Sequence, residues 1–406
     1  MKSLQDNVLF VIYGTDYMAM TEELLARAGL DERIRAKCGN TAGDAAGDTV
    51  GDTAGDAAGD AAGDAACGAA GVRIGIKPNL VAPVPAEEGA TTHPQVVEGL
   101  IRYLKEHGYE NLVIMESSWV GDRTEDAFDL CGYYALAEKY GVELLDMKKA
   151  ASRKIDCAGM ELTVCEPALQ VDFLINVPVL KGHCQTRMTC ALKNMKGLLP
   201  DSQKRAFHRM GLHEPIGHLS AGIRQDFILV DSICGDLRFE DGGNPVQQDR
   251  LIAASDPVLC DVWCCRLLHI PVEEVPYIGY AEACGCGSSD MSRAVVKELN
   301  HPLHDMDLSS AGKALRLSEI AEDVESCSAC YGSLMPALNR LQEEGLLDNL
   351  KEKICIGQGY RDKKGVLGVG NCTRRFDSYL PGCPPTEQEM YEFLKKYIER
   401  NYSDFA

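Results

Sequence analysis

Short apolar runs alternate with amphipathic stretches along most of this chain, and that alternation narrows its fold more than any other feature. "VLFVIYG" reads as a strand and "TEELLARAG" as a helix with Thr21 as its N-cap. Further on, "VRIGIKPNL", "NLVIMESS", "VELLDM", "DFLINVPVL" and "DFILVDSI" are apolar runs of strand length. Between and after them, "HPQVVEGLIRYLKEHG", "YALAEKYG" and "DPVLCDVWCCRLL" have helical spacing. Repeated units of this kind predict an α/β fold, a mostly parallel sheet covered by helices. A smaller α/β unit follows: "CSACYGSLMPALNRLQEEG" and "TEQEMYEFLKKYIER" read as helices flanking the strands "KICIGQG" and "GVLGVGNC".

One stretch breaks the pattern. Glycine recurs every fourth residue from Gly39 to Gly63, with Asp following it from Asp44 to Asp64. That spacing is poor for a helix and offers almost nothing to bury, so a disordered insertion is expected. The organisation expected is therefore a first strand–helix unit (1–37), the insertion (38–71), a main ligand-binding α/β domain (72–276), a connection (277–325) and a C-terminal cysteine domain (326–406). A length of 406 residues accommodates this at roughly 150 residues per domain.

The formal charge of -20 argues against general nucleic-acid binding and against an anionic membrane surface as partner. No apolar run approaches the roughly 20 residues of a membrane helix, and "MKSLQDNVLFVIYGTDY" lacks the marks of a signal peptide. A cytoplasmic protein without membrane insertion is expected. In that reducing setting, 18 cysteines do not suggest a disulfide framework. Where they group, metal or cluster ligation is the better reading, and elsewhere they serve as small core residues.

They group near the C-terminus. Cys327 and Cys330 form a CxxC at a helix start, where the helix dipole favours thiolate. Cys372 lies in "GVGNCTR", and Cys383 in "SYLPGCPP", whose Pro and Gly residues forbid helix or central strand. Three loops at element ends can thus converge four thiols, the requirement of a [4Fe–4S] cluster. Structural zinc and a thioredoxin-like dithiol stay open. Zinc ribbons, however, bring two CxxC knuckles, and "AEDVES" before this CxxC is not the buried strand a dithiol motif follows. Cys355, inside "KICIG", reads as core.

The second constellation is "LKGHCQTRMTCALKNMKGLLPDSQKRAFHRMGLHEPIGH", where seven Lys and Arg face only Asp201 and Glu214. It starts where a strand ends, the position at which open α/β sheets bind ligands. Lys181, His183, Lys193 and His208 are its candidate catalytic groups. Lys77, Asn79, Glu116, Asn194, Asp231 and Glu240 are candidate ligand-binding groups from this and neighbouring strand ends. Cations would hold a small anionic molecule, and a His or carboxylate would move a proton. Thr189 is expected to cap the helix "TCALKNMKG", leaving its N–H groups to face the anion. Leu192, Met195 and Leu199 should face the core; Lys196, Lys204 and Arg205 are expected on a solvated face, and Asp256 as a helix cap.

Two resemblances follow. CxxC, GNC and PGCPP are similar to the ligand order in the small subunit of nickel–iron hydrogenases and its relative in respiratory complex I. "IKPNLV", "TTHPQVV", "NVPVLKGHCQTRMTCALKNMKGLLP", "FHRMGLH", "VDSICGDLRFEDGGNPV" and "DPVLCDVW" resemble the family called domain of unknown function 362, over roughly Val72 to Ile270. That resemblance implies an α/β domain paired with an iron–sulfur cluster, and no settled reaction. The expectation is an iron–sulfur redox protein that binds a small anion and exchanges electrons with a partner such as ferredoxin. The competing classes are a non-redox isomerase, lyase or ligase with a structural metal or cluster, and a carrier without its own chemistry. Nucleotide cofactors are not indicated, because GxGxxG and P-loop motifs are absent.

Overall fold

The computed structural model describes residues 7–39, 69, 71–237, 240, 242–303, 317 and 320–402. The Gly-Asp stretch read as a disordered insertion lies, from residue 40 to 68, outside the described residues. Chain order begins with β1 (Val8–Tyr13), β2 (Ile74–Pro78), β3 (Leu112–Glu116) and β4 (Glu143–Asp146). An outlying hairpin of β5 (Ser152–Cys157) and β6 (Met160–Cys165) precedes β7 (Phe173–Val177), and a small one joins β8 (Lys181–His183) to β9 (Arg187–Thr189). The long β10 (Phe227–Asp236) and β11 (Pro245–Ala254) and the edge strand β12 (Val295–Glu298) complete the main unit.

The large sheet runs β12-β1-β11-β10-β7-β2-β3-β4. It is parallel except where β11 pairs antiparallel with β1 and β10. The loop from β10 to β11 is too short for a crossover, so that pair forms a hairpin. The expected mostly parallel α/β sheet is what forms. Alternate strand residues feed two apolar layers, because side chains point to opposite faces. Leu112 and Ile114 pack on one side with α1 (Tyr17–Ala28), α2 (Leu30–Cys38) and α3 (Pro94–Glu106). Val113 and Met115 pack on the other, with Ile216, Leu219, Val258 and Ile278.

Several local expectations change. Asp16, not Thr21, caps α1, by accepting from Ala19 N; Thr21 lies inside the helix and bonds Tyr17 O. Asp256 does cap the helix Pro257–Leu267, by accepting from Leu259 N at 2.9 Å. The acidic stretch "AEDVES" holds a short strand, β13 (Ala321–Asp323), which is half-buried to exposed and so is not the buried strand of a dithiol motif, as expected. It pairs in parallel with β14 (Ile354–Ile356), and β15 (Leu367–Val369) and β16 (Ser378–Leu380) extend that second sheet. The helices Ser328–Glu343 and Glu387–Tyr402 cover it, with Leu334, Leu338, Leu341, Met390, Leu394 and Ile398 in its core.

Candidate functional site

Parallel strands of the large sheet all end on one side, and their ends build the floor of a cleft. Lys77, on β2, is completely buried and donates to Glu116 Oε2 at 2.8 Å and to Pro78 O at 2.6 Å. Glu116, the last residue of β3, also accepts from Leu80 N and Ser117 N. Burial lowers the Lys77 pKa and Glu116 opposes it. Gly197 lies directly over this pair. A Cβ there would collide with Glu116 Oε1 and Lys77 Nζ, so only glycine lets the backbone approach.

A second buried pair stands beside the first. Lys193 Nζ donates to Glu240 Oε1 at 2.7 Å and to Thr189 Oγ1 at 3.2 Å. Glu240 Oε2 lies 2.5 Å from His183 Nε2. His183 Nδ1 accepts from Gln185 N and Thr186 N, which leaves the proton on Nε2, facing Glu240. Burial would raise the Glu240 carboxyl, but His183 and Lys193 hold it well below the usual range. Burial pushes the His183 imidazole down to about 4.

The cleft is lined by seven of the candidates: Lys77, Asn79, Glu116, Lys193, Asn194, His208 and Glu240. Three others stand behind it. Lys181 is fully buried and donates to Ala90 O and Glu240 O; His183 braces Glu240; Asp231 binds His93 through its backbone N and Nδ1. They build the wall rather than face the space. The solvated-face expectation is corrected for Lys196, Lys204 and Arg205, which all line the cleft. Lys204 is buried and donates to Ser117 O and Ser118 O at 2.8 and 2.7 Å. Burial, then Lys148, lowers its pKa to about 8. Lys196, half-buried, is lowered to about 7 by burial and then by Lys193. Burial and Lys196 keep His208 neutral, its pKa well below the ordinary value.

The helix expected to offer free N–H groups does not. It is the single turn Ala191–Asn194, and Thr189 is not its cap. Asp261 accepts from Ala191 N and Leu192 N at 2.8 and 3.2 Å, so those donors are taken. Leu192, Met195 and Leu199 are buried as expected. Five cations, Lys77, Lys193, Lys196, Lys204 and Arg205, thus meet two carboxylates, Glu116 and Glu240, in a volume of about 70 Å³.

The four candidate thiols converge. Cys327 precedes the helix Ser328–Glu343 and Cys330 lies in its first turn; Cys372 follows β15, and Cys383 follows β16. All four line one cavity of about 30 Å³, with Gln358 and Arg361. Gln358 Nε2 lies 3.7 Å from Cys327 Sγ, and the neighbouring Cys372 raises the Arg361 guanidinium pKa. Among the described residues, no three of these sulfurs lie within 4.8 Å of one another. Cys327, Ala329, Val120 and Arg205 line both this cavity and the basic cleft. His208 Nε2 lies 3.4 Å from Ser328 N, beside Cys327.

A second thiol group escaped the sequence reading. Cys190, Cys260 and Cys264 are fully buried, with sulfurs within 4.8 Å of one another, a trio that could hold a metal ion. Cys260 and Cys264 are one helical turn apart, a legible signal. Cys190 is 74 residues from Cys264 in sequence, and nothing local announces it.

The family model "Domain of unknown function (DUF362)" matches residues 74–266. Over 245 residues, 57% of this chain and 73% of the relative, the chain is 24% identical to the thylakoid-associated protein sll1697 of Synechocystis sp.. Among solved structures it is similar to the lactate racemase apoprotein from Thermoanaerobacterium thermosaccharolyticum, at 15% identity and a TM-score of 0.36, over 49% of this chain and half of that one. No described helix is long and apolar enough to cross a membrane. The stretch from the Lys77 strand to the helix Pro257–Leu267, which carries most of the basic cleft, is therefore the part that matches the domain-of-unknown-function model.

Proposed function

We propose that the chain is a cytoplasmic iron–sulfur redox protein that binds a small anionic molecule in the basic cleft. Cys327, Cys330, Cys372 and Cys383 are the residues that would hold a [4Fe–4S] cluster. The observation that carries this reading is that Cys327 lines both the thiol cavity and the cleft. The donor set fits: four sulfurs, with Arg361 and Gln358 beside them. A single tetrahedral zinc would draw its thiolates to about 3.8 Å apart, given Zn–S bonds of about 2.3 Å. Among the described residues, every three of these sulfurs include at least one pair more than 4.8 Å apart. When bound, the cluster supplies one-electron transfer, and an external carrier such as ferredoxin exchanges electrons with it.

The rest of the work falls to the chain's own groups. Lys196, Lys204 and Arg205 attract the anion, because the Lys77–Glu116 and Lys193–Glu240 pairs already satisfy each other. Lys196, its pKa lowered to about 7, gives a proton, and His208 stays neutral beside it. A proton donor of that kind also suits a non-redox enzyme in which the cluster is only structural. Iron and sulfide analysis after anaerobic purification, with reductive titration, separates the readings. Each of Cys327→Ser, Cys330→Ser, Cys372→Ser and Cys383→Ser should lose most iron while Cys355→Ser keeps it. Full iron in Cys383→Ser would overturn the ligand set. A cluster that cannot be reversibly reduced would leave the non-redox reading.

A further inference from the structure

We infer that the surface around Cys372 and Cys383 is the docking face for a small acidic electron-carrier protein. The inference rests on the cluster reading above and adds the partner's place and chemistry. Cys383 is exposed, so the thiol cavity reaches the surface there. Between residues 357 and 383 stand Arg361, Lys363, Lys364, Arg374 and Arg375 against only Asp362 and Asp377, a local charge of +3 in a chain of -20. The remainder of the protein therefore carries a net -23, which disfavours an acidic partner over most of it.

These cations form one continuous surface. Asp362 binds both Arg374 and Arg375, at 3.2 and 3.7 Å, which ties the segment after β14 to the segment after β15. Lys363 lies over the Tyr360 ring, and Tyr360 meets Phe376 edge-on at 5.6 Å. Arg361, at one end, lines the thiol cavity together with Cys372. Arg374 and Arg375 keep 66% and 56% of their side chains exposed, so they are free to meet a partner. An apolar centre completes the face. Val366 is 50% and Tyr379 37% exposed, and they lie on neighbouring strand segments, Tyr379 paired with Gly368 and Ser378 N bonded to Val366 O. Basic residues around a small apolar patch, beside an exposed ligand, suit a transient complex steered by charge. In that complex a cluster held by Cys327, Cys330, Cys372 and Cys383 would supply a one-electron acceptor for the reduced carrier. No bond forms or breaks, and no proton is needed.

The test uses the full chain, purified anaerobically, and a two-cluster acidic ferredoxin. Binding is measured by calorimetry with the oxidised ferredoxin at low salt, and electron transfer by stopped flow with the reduced form. Arg374→Glu/Arg375→Glu should weaken binding and slow transfer roughly tenfold or more, while dithionite reduces wild type and variant within about twofold of each other. Raising salt should erase the wild-type advantage. Lys154→Glu, on the distant β5–β6 hairpin, should change neither. A variant with wild-type iron that binds ferredoxin as tightly as wild type overturns the docking face alone. A chain without iron and sulfide sinks the cluster reading, and this inference with it.

Discussion

Anion binding in the cleft should weaken as pH rises from 6 to 8. Lys196 titrates near 7 and Lys204 near 8, both lowered chiefly by burial. A bound anion favours their charged forms, so the free protein must supply protonated lysines. The charged fraction of Lys196 falls from about 0.9 to about 0.1 over that range, and that of Lys204 from about 1 to about 0.5. If both must be charged, affinity falls roughly twentyfold, or about 1.8 kcal/mol. Inorganic sulfate is the right probe, because its charge is constant here, whereas phosphate gains charge near its second pKa of about 6–7 and would mask the effect. Isothermal calorimetry at pH 6, 7 and 8 and constant ionic strength reads the change. Lys196→Arg keeps its charge and should leave only the roughly twofold step from Lys204. Sulfate affinity that is flat within twofold in the wild type, or that rises with pH, would refute the assignment of these lysines to the anion.

The same depressed lysine has a stability signature. Unfolded Lys196 holds its proton to about 10.4 while the folded form releases it near 7, so Lys196→Met should be the more stable protein at pH 7, with its advantage shrinking toward pH 10 in chemical denaturation. Glu240→Ala leaves Lys193 and His183 without their carboxylate and should cost about 3–5 kcal/mol in urea unfolding at pH 7, with Glu240→Gln costing less. Gly197→Ala should abolish sulfate binding, read by calorimetry, because its methyl group would displace the Lys77–Glu116 pair.

How much of this was legible follows from what local pattern encodes. The parallel strands β2, β3 and β7 are buried on both faces and read as continuous apolar runs. β11 escaped because it carries Gln247, Gln248, Asp249 and Arg250, and Arg250 is satisfied only in three dimensions, by Ser232 and Gln248. β13 and β16 are three residues each and partly exposed, too short to show a period. Cys327 and Cys330 were legible as a CxxC at a helix start, and Cys372 and Cys383 because Gly and Pro fix their loops. Gly382 adopts φ +143 and Pro385 crowds the space a Cβ would need. Lys204 was misread because "DSQKRAFHR" has a polar face, and polarity alone does not tell solvent from a wall built by Ser117 and Ser118. Thr189 was misread for a similar reason: the residue that caps Ala191 and Leu192 is Asp261, about 70 positions away.

Arg205 belongs to both cavities, and that sharing has a thermodynamic consequence in the proposed reading. Arg205 and Lys196 both pull the Cys327 thiol down, against burial and the Cys372 and Cys383 thiolates, which raise it. The same two cations are the ones offered to an anion in the cleft. Negative charge added on the thiol side makes them less available to the anion, and a bound anion makes added charge less welcome on the thiol side. Coupling of this kind is reciprocal and equal in free energy. Reduction should therefore weaken sulfate binding, and saturating sulfate should lower the reduction potential by the matching amount. Spectroelectrochemical titration with and without sulfate, set against calorimetry on oxidised and electrochemically reduced protein, measures both sides. Arg205→Gln should shrink both shifts together, since it removes the shared charge from each cavity. Shifts of zero on both sides, shifts that Arg205→Gln leaves unchanged, or a potential that rises when sulfate is added, would mean that the two cavities do not draw on the same cations.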